Sequence, residues 1–283
     1  MPGTFGEFRF SPDGSLLTWA FSNAKVWNTR NGDLLAEIPE YRGSIKCAEF
    51  MPDGDLILGH GIGSMDIMPP PGRGLCAEGL GGSAYPVSTA EAGRVMVVRT
   101  RRPGSQGARF GLWTAGLHQK PSLLIEAGAE ARAGACAPNG QAVAFCMSDG
   151  GVNLLAPSAD PQSPDLQWRV RLPGAHNCAF SPDGGLLAVT CEGDEVVLLD
   201  TANGREMLTL PGVKSGSRPT FSPDGSLLLT NSPSAAKYEF LLWDLVRGKQ
   251  VGHLKTKPSA FALFPDGRHL LACSSRNAIV RRL

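Results

Sequence analysis

The sequence predicts an all-β chain built from small four-stranded antiparallel sheets, and three repeated features support this fold class. A turn of the form Pro-Asp-Gly recurs along the chain, with a short apolar segment on each side of it. A third apolar segment and a polar turn follow, before a fourth segment. The turn glycines stand at positions 14, 54, 93, 140, 184, 225 and 267, so the unit repeats every 39 to 47 residues.

The recurring turn defines each repeat. It occupies residues 11–14, 51–54, 137–140, 181–184, 222–225 and 264–267, with a divergent seventh copy at 90–93. Proline presets φ near about −65°, Asp or Asn bonds to the backbone two residues on, and glycine adopts positive φ at little cost. Each copy therefore predicts a reversal between two strands. Because the alternating acidic ligands of a calcium loop are missing, the turn aspartates are interpreted as turn caps: Asp13, Asp53, Asp183, Asp224 and Asp266.

Four short strands in a period of this length are typical of one blade of a β-propeller. The sequence therefore predicts a seven-bladed β-propeller, as a single domain over residues 1–283. The blades are expected at residues 7–38, 45–80, 85–127, 134–172, 177–210, 219–254 and 260–283. The last blade is expected to lack its outer strand, because no apolar segment follows residues 278–280 and few residues precede Phe10.

Three explanations of that incomplete blade remain open. The ring of sheets is closed in another way, these residues belong to a longer polypeptide, or the strand of a partner completes the edge. Arg281 and Arg282 stand at this edge. Their charges are interpreted as a means of discouraging unwanted strand pairing.

The repeated motif resembles the WD-repeat family over about residues 8–283. Residues 221–225 (Phe-Ser-Pro-Asp-Gly) and 242–244 (Leu-Trp-Asp) carry the resemblance, and residues 180–210 follow the same pattern. The Gly-His pair common in that family is missing, with His176 only a near match, so the family's His–Asp side-chain network is not expected. The resemblance implies a non-enzymatic scaffold for protein–protein interaction, one that docks peptides or subunits of a larger complex.

Composition limits the classes of partner. Lys and Arg number 27 against 26 Asp and Glu, for a net charge of +1, so no overall field would attract nucleic acid or an anionic membrane. No segment has the length and apolarity of a membrane span. The seven cysteines show no Cys-x-x-Cys spacing, which argues against a disulfide framework or a zinc ribbon. We therefore expect an intracellular setting, cytoplasmic or nuclear.

No motif for catalysis or for a cofactor is evident. The sequence has no nucleophile elbow, phosphate-binding loop or His-Glu-x-x-His zinc motif. The histidines fall in different blades and form no pair at helical spacing: His60, His118, His176, His253 and His269. We therefore predict no catalytic, cofactor or metal site.

A basic loop is the strongest candidate for partner binding. Five arginines lie between positions 94 and 109, where the second and third strands of the third blade are joined. Such loops can pair with phosphate or carboxylate groups, although a solvated loop without a partner explains them equally well. With the neighbouring loops, the predicted partner-binding residues are Arg99, Arg101, Arg102, Arg109, Lys214, Arg218, Lys237 and Tyr238.

Two alternatives to a scaffold remain at this point. The first is a propeller enzyme, similar to hydrolases or lactonases, with its site at the axial channel. The second is binding of RNA or anionic lipid through the arginine loop. The divergent repeats and long loops between second and third strands also resemble those of translation initiation factor 2A propellers, and this resemblance would imply association with RNA or ribosomes.

Overall fold

Every regular element in the described part of the chain is a β-strand. The structure is a computed structural model that describes residues 7–40, 44–51, 54–60, 65–68, 75–77, 83–90, 95–101, 109–114, 123–127, 130–160, 163–213, 217–233, 238–256, 260–273 and 278–282. In these residues the strands pair antiparallel with their neighbours along the chain, which confirms the predicted all-β class.

The strands form seven sheets in the described residues. The first sheet contains β1 (Glu7–Phe10), β2 (Leu16–Phe21), β3 (Asn23–Asn28) and β4 (Leu34–Ile38). The second contains β5 (Ile45–Phe50), β6 (Leu56–His60), β7 (Met65–Met68) and β8 (Leu75–Ala77). The third contains β9 (Ser83–Ala90), β10 (Val95–Arg101), β11 (Arg109–Thr114) and β12 (Leu123–Ala127). The fourth contains β13 (Ala131–Cys136), β14 (Val143–Met147), β15 (Gly151–Ala156) and β16 (Asp165–Arg171).

The remaining three sheets follow the same order. The fifth contains β17 (Asn177–Phe180), β18 (Leu186–Cys191), β19 (Glu195–Asp200) and β20 (Glu206–Pro211). The sixth contains β21 (Pro219–Phe221), β22 (Leu227–Pro233), β23 (Tyr238–Asp244) and β24 (Lys249–Thr256). The last contains only β25 (Ala260–Leu263), β26 (His269–Cys273) and β27 (Ala278–Arg282) among the described residues. Three strands in this sheet are consistent with the expectation that it lacks its outer strand, which stays a prediction.

The predicted turn is built on a hydrogen-bonded serine and aspartate. The Ser222 hydroxyl donates to Asp224 Oδ1 at 2.6 Å and accepts the Leu227 amide at 2.9 Å. The Gly225 amide donates to the Ser222 carbonyl at 2.8 Å, and Gly225 has φ of 71°. The turns at Ser11 and Ser181 repeat this arrangement. These aspartates therefore cap turns, as the sequence indicated.

Three turn glycines also lie beside the proline of a turn in a neighbouring sheet. A β-carbon on Gly184 would lie 3.5 Å from Cδ of Pro138, and one on Gly225 would lie 3.7 Å from Cδ of Pro182, which are ordinary contact distances. A β-carbon on Gly14 would lie 3.2 Å from Cγ of Pro265, which is tight. Positive φ is thus the reason for glycine at all three positions, and the close approach adds to it at Gly14.

The chain divides into two units, Met1–Leu123 with Pro258–Leu283, and Leu124–Lys257. In the first unit, Val26 of β3 and Leu58 of β6 belong to one buried apolar cluster. In the second unit, Leu187 of β18 belongs to a cluster with β14 and β15, and Leu198 of β19 belongs to another with β22 and β23. The middle strands thus supply the core, since each small sheet buries its faces against its neighbours.

The first prediction concerns the turn serine. We expect Ser222→Ala to lower the free energy of unfolding by about 1–2 kcal/mol, because it leaves the half-buried Leu227 amide without the hydroxyl of the buried Ser222 as its acceptor. Chemical denaturation of both proteins measures this change. Ser226→Ala is the matched control, since this exposed hydroxyl contacts the same aspartate. Equal losses in the two variants would contradict the role of the buried serine.

The second prediction concerns pH. The Ser222 hydroxyl, followed by the Ser226 amide and hydroxyl, lowers the pKa of Asp224 below its ordinary value of 3.8. A carboxylate with a lowered native pKa contributes stability above its ordinary pKa, and this contribution is lost as the pH falls through the native value. We expect wild type to have a larger free energy of unfolding than Asp224→Asn near neutral pH. The difference between the two proteins is expected to disappear as the pH falls below the ordinary pKa of an aspartate. A difference independent of pH would contradict this.

Candidate partner-binding site

A solvent-open cleft of about 240 Å³ lies in the second unit, where the fourth and fifth sheets meet. The β14–β15 turn, the β16–β17 linker and the β18–β19 turn enclose it. Four charged side chains and two glycines contribute to its walls: Arg132, Asp149, Arg171, Glu192, Gly150 and Gly174. The cleft is therefore polar and charged, and its walls come from segments far apart in the sequence.

An ion pair neutralises one of its carboxylates. Asp149 Oδ2 accepts a hydrogen bond from the Arg169 guanidinium, and Asp149 Oδ1 accepts the Gly151 amide at 2.8 Å. The Gly151 amide is the main cause of the lowered pKa of Asp149, with contributions from the charges of Arg169 and Arg171. Asp149 is thus ionised at neutral pH and its charge is balanced within the protein.

Two arginines of the cleft have guanidinium groups available for a ligand. Arg132 is the second residue of β13, and Arg171 is the last residue of β16. Both are exposed, and neither makes a hydrogen bond or an ion pair with another described residue. Glu192 is also exposed, in the turn after β18. Because Arg169 balances Asp149, the cleft retains two positive groups and one negative group.

Glycines allow the walls to come close together. A β-carbon on Gly174 would lie 2.1 Å from Cγ of Glu192, so the side chain of Glu192 lies directly over the β16–β17 linker. A β-carbon on Gly151 would lie 2.9 Å from Asp149 Oδ1 and 3.0 Å from Arg169 Nε. The cleft and its ion pair thus depend on backbone without side chains at these two positions.

The predicted basic loop is described only where it joins the paired strands β10 and β11. Arg99 and Arg101 belong to β10, and Arg109 begins β11 opposite Thr100. Tyr238 begins β23. The predicted residues outside the described part of the chain are Arg102, Lys214 and Lys237.

Arg218 alone among the predicted residues has a described side chain, and it is exposed in the linker before β21. The adjacent Ser217 carbonyl accepts hydrogen bonds from Asn177 Nδ2 at 3.0 Å and from Thr190 Oγ1 at 3.2 Å. These bonds hold the linker against the end of the fifth sheet at which β17 begins and β18 ends. Arg218 therefore lies at the end of this sheet that also carries Glu192.

Sequence reasoning missed Arg132, Asp149, Arg171 and Glu192. One available signal was Arg132, the single charged residue of the alanine-rich strand β13. A second was the Asp149-Gly150-Gly151 turn. Neither signal indicates that Arg132 and Arg171 line one cleft, because a full repeat separates them.

A histidine and an aspartate are paired in the core of the second sheet. His60 Nε2 lies 2.9 Å from Asp66 Oδ2, and both side chains are completely buried. His60 ends β6 and Asp66 lies in β7, so the pair joins the second and third strands of one sheet. Burial removes it from contact with a dissolved substrate, which makes it a structural element. Among the described residues, no three His, Cys, Asp or Glu side chains are grouped to hold a metal ion.

Comparison with solved structures identifies the fold. A structure described as the crystal structure of the mitotic checkpoint complex matches 99% of this chain and 86% of the other, at 17% identity and a TM-score of 0.74. The β-propeller domain of Cps50 (Swd1) from Myceliophteria thermophila matches 100% of this chain and 98% of the other, at 12% identity and a TM-score of 0.75. No family model and no curated protein matches the chain.

The chain therefore has a β-propeller fold, which is the fold that the repeated motif predicted. The seven sheets of the described residues are consistent with the expected number of blades, while the expected blade boundaries stay a prediction. A search of the described residues for helices of membrane-spanning length and apolarity found none.

The third prediction tests the buried pair. We expect Asp66→Ala to lower the free energy of unfolding by about 3 kcal/mol, because removing one partner leaves the other buried without its counterpart. Denaturant unfolding measures the loss. Glu40→Ala, at an exposed position of the same unit, is the control and is expected to change stability by less than about 0.5 kcal/mol. Similar effects of the two substitutions would show that the pair contributes no stability.

Proposed function

We propose that this protein is a non-enzymatic scaffold that binds peptides or subunits of a larger complex, and that the cleft is one of its contact sites. The observation that carries the proposal is the presence of two exposed guanidinium groups that make no hydrogen bond with another described residue, in a cleft whose walls include two glycines. The fold is consistent with such a role, although a fold alone does not determine function. One similar structure is, by its description, a multiprotein assembly.

The chemistry of the cleft favours an acidic peptide. A guanidinium group binds a carboxylate through two parallel hydrogen bonds, so Arg132 and Arg171 suit Asp or Glu side chains of a partner. Glu192 adds one negative charge, which favours a segment that also offers a backbone amide or a basic group. A volume of about 240 Å³ holds one or two side chains, so the cleft would anchor a partner that makes further contacts elsewhere.

The predicted docking loops extend this proposal beyond the cleft. Arg218 supports it because it lies at the same end of the fifth sheet as Glu192. The contact residues that remain proposals on sequence grounds are Arg99, Arg101, Arg102, Arg109, Lys214, Lys237 and Tyr238. An intracellular location, cytoplasmic or nuclear, is part of the same proposal. The thiols of Cys146, Cys178 and Cys191, which form no disulfide in the described part of the chain, are consistent with it.

The fourth prediction tests the cleft with a defined probe. We use a fluorescent peptide in which glutamate alternates with proline, because proline prevents the peptide from pairing with a sheet edge. We expect Arg132→Ala/Arg171→Ala to weaken binding by at least about five-fold, since two charge-assisted contacts are lost. Fluorescence anisotropy at several salt concentrations measures the affinity, which is expected to fall as salt screens the charges.

The control for this experiment is Arg205→Ala. Arg205 is exposed in the β19–β20 turn, at the other end of the fifth sheet from Glu192. We expect this variant to bind the probe as wild type does. Wild-type affinity in the Arg132→Ala/Arg171→Ala protein would refute the cleft as the contact site. Hydrolysis of added esters or lactones that depends on this chain would instead favour an enzyme.

A further inference from the structure

The last sheet differs from the others in the exposure of its third strand. Ile279 and Val280 of β27 are 44% and 55% exposed. The corresponding third strands of the first, fourth and fifth sheets hold Val26, Val152 and Leu198, which are at most 2% exposed. In those sheets a fourth strand continues the sheet beyond the third strand, whereas the described residues supply no fourth strand beside β27. The apolar surface of β27 is therefore left uncovered.

The ladder that joins β27 to its neighbour resembles those of the complete sheets. It runs through five consecutive pairs between β26 and β27 without a register shift, as the β2–β3, β14–β15, β18–β19 and β22–β23 ladders also do. In those four sheets the third strand also pairs with a fourth strand. The backbone of β27 can therefore accept an added strand in the same way.

We propose that β27 binds a strand of a protein partner, which completes the last sheet and places acidic residues opposite Arg281 and Arg282. This inference rests on the proposed role as a protein-binding scaffold, but it concerns a different surface from the cleft. The backbone bonds and the cover over Ile279 and Val280 supply the affinity. The arginines supply selectivity, because exposed ion pairs add little binding energy.

The first sheet shows how a basic residue on a third strand pairs with an acidic residue on a fourth strand. Lys25 on the third strand lies opposite Glu37 on the fourth, with 3.2 Å between Nζ and Oε1. Apolar pairs lie on either side of this pair, with Ala24 opposite Ile38 and Val26 opposite Ala36. By analogy, an antiparallel strand beside β27 would place two acidic residues opposite Arg282 and Arg281. Two apolar residues would follow opposite Val280 and Ile279, and then a small residue opposite Ala278. The proposed partner is therefore a strand in which two acidic residues precede apolar ones.

The same arginines disfavour a second copy of this chain as the occupant. In an antiparallel pair of two β27 strands, Arg281 of each copy would lie opposite Ile279 of the other, and Arg282 opposite Ala278. No ion pair would form between directly opposed residues, whereas an acidic strand places an opposite charge against both arginines. Arg281 and Arg282 thus favour an acidic strand over a second copy of this chain.

The experiment uses the full chain and two labelled peptides. The acidic peptide contains two glutamates followed by valine, isoleucine and alanine, and in the basic peptide two lysines replace the glutamates. We expect the acidic peptide to bind wild type, to slow amide hydrogen exchange in β27, and to bind Arg281→Glu/Arg282→Glu at least about ten-fold more weakly. The basic peptide is expected to prefer the charge-reversed chain by a similar factor.

Two controls separate this surface from others. Arg30→Glu reverses an exposed charge in the β3–β4 turn of the same unit and is expected to leave binding unchanged. In Arg132→Ala/Arg171→Ala, the acidic strand peptide is still expected to slow amide hydrogen exchange in β27, so the cleft and the edge can fail independently. Equal affinity of both peptides for wild type, or unchanged exchange in β27, would overturn the proposal. A wild-type dimer whose formation protects β27 would also overturn it, by assigning the edge to a second copy.

Discussion

The hydrogen-bonded turn between the first and second strands is the constraint on which the rest of the structure depends. Within a sheet, the serine hydroxyl bridges the aspartate and a backbone amide, as at Ser181 with Asp183 and Leu186. Between sheets, Gly184 lies against Pro138. One four-residue segment thus reverses the chain and also contacts the corresponding turn of the neighbouring sheet. Its repetition explains why a sequence with few long-range signals specifies this fold.

The turn persists in copies that lack the serine, because other contacts replace the hydroxyl. At residues 264–267, the Gly267 amide still donates to the Phe264 carbonyl at 3.0 Å. The Phe264 ring packs on Phe10 with 4.3 Å between ring centroids, in place of the buried hydroxyl. Asp266 bonds to His269 Nδ1 at 2.6 Å instead of to a serine. The backbone geometry is therefore the invariant feature, and the side chains that support it vary.

The parts of the structure that follow from local chemistry were predictable from the sequence, and those that depend on distant contacts were not. The turn at Ser222 and the strand pairs around it follow from proline, aspartate, glycine and alternating apolar residues within one repeat. The three strands of the last sheet in the described residues were predictable by counting segments. The cleft was not, because Arg132 and Arg171 belong to the first and last strands of one sheet and have no common motif. The His60–Asp66 pair was missed because burial is not visible in either residue alone.

The two ends of each sheet carry different constraints, and this difference indicates where binding can evolve. In the first and fifth sheets, the turn after the third strand bonds to the Pro-Asp-Gly turn, since Thr29 and Thr201 donate to the carbonyls of Gly14 and Gly184. Hydrogen bonds within the fold therefore fix the structure of that end in these two sheets. The opposite end holds connections of varied length and composition.

Backbone strain in the described chain is found at this variable end. Ser22 and Asp194 adopt positive φ of 62° and 59° although neither is glycine. Each lies in the connection between a second and a third strand, Ser22 after β2 and Asp194 after β18. Such strain persists where the surrounding structure holds it in place. The connection around Asp194 also supplies Glu192 to the cleft, so substitutions there can alter recognition while the turns at the other end preserve the sheet.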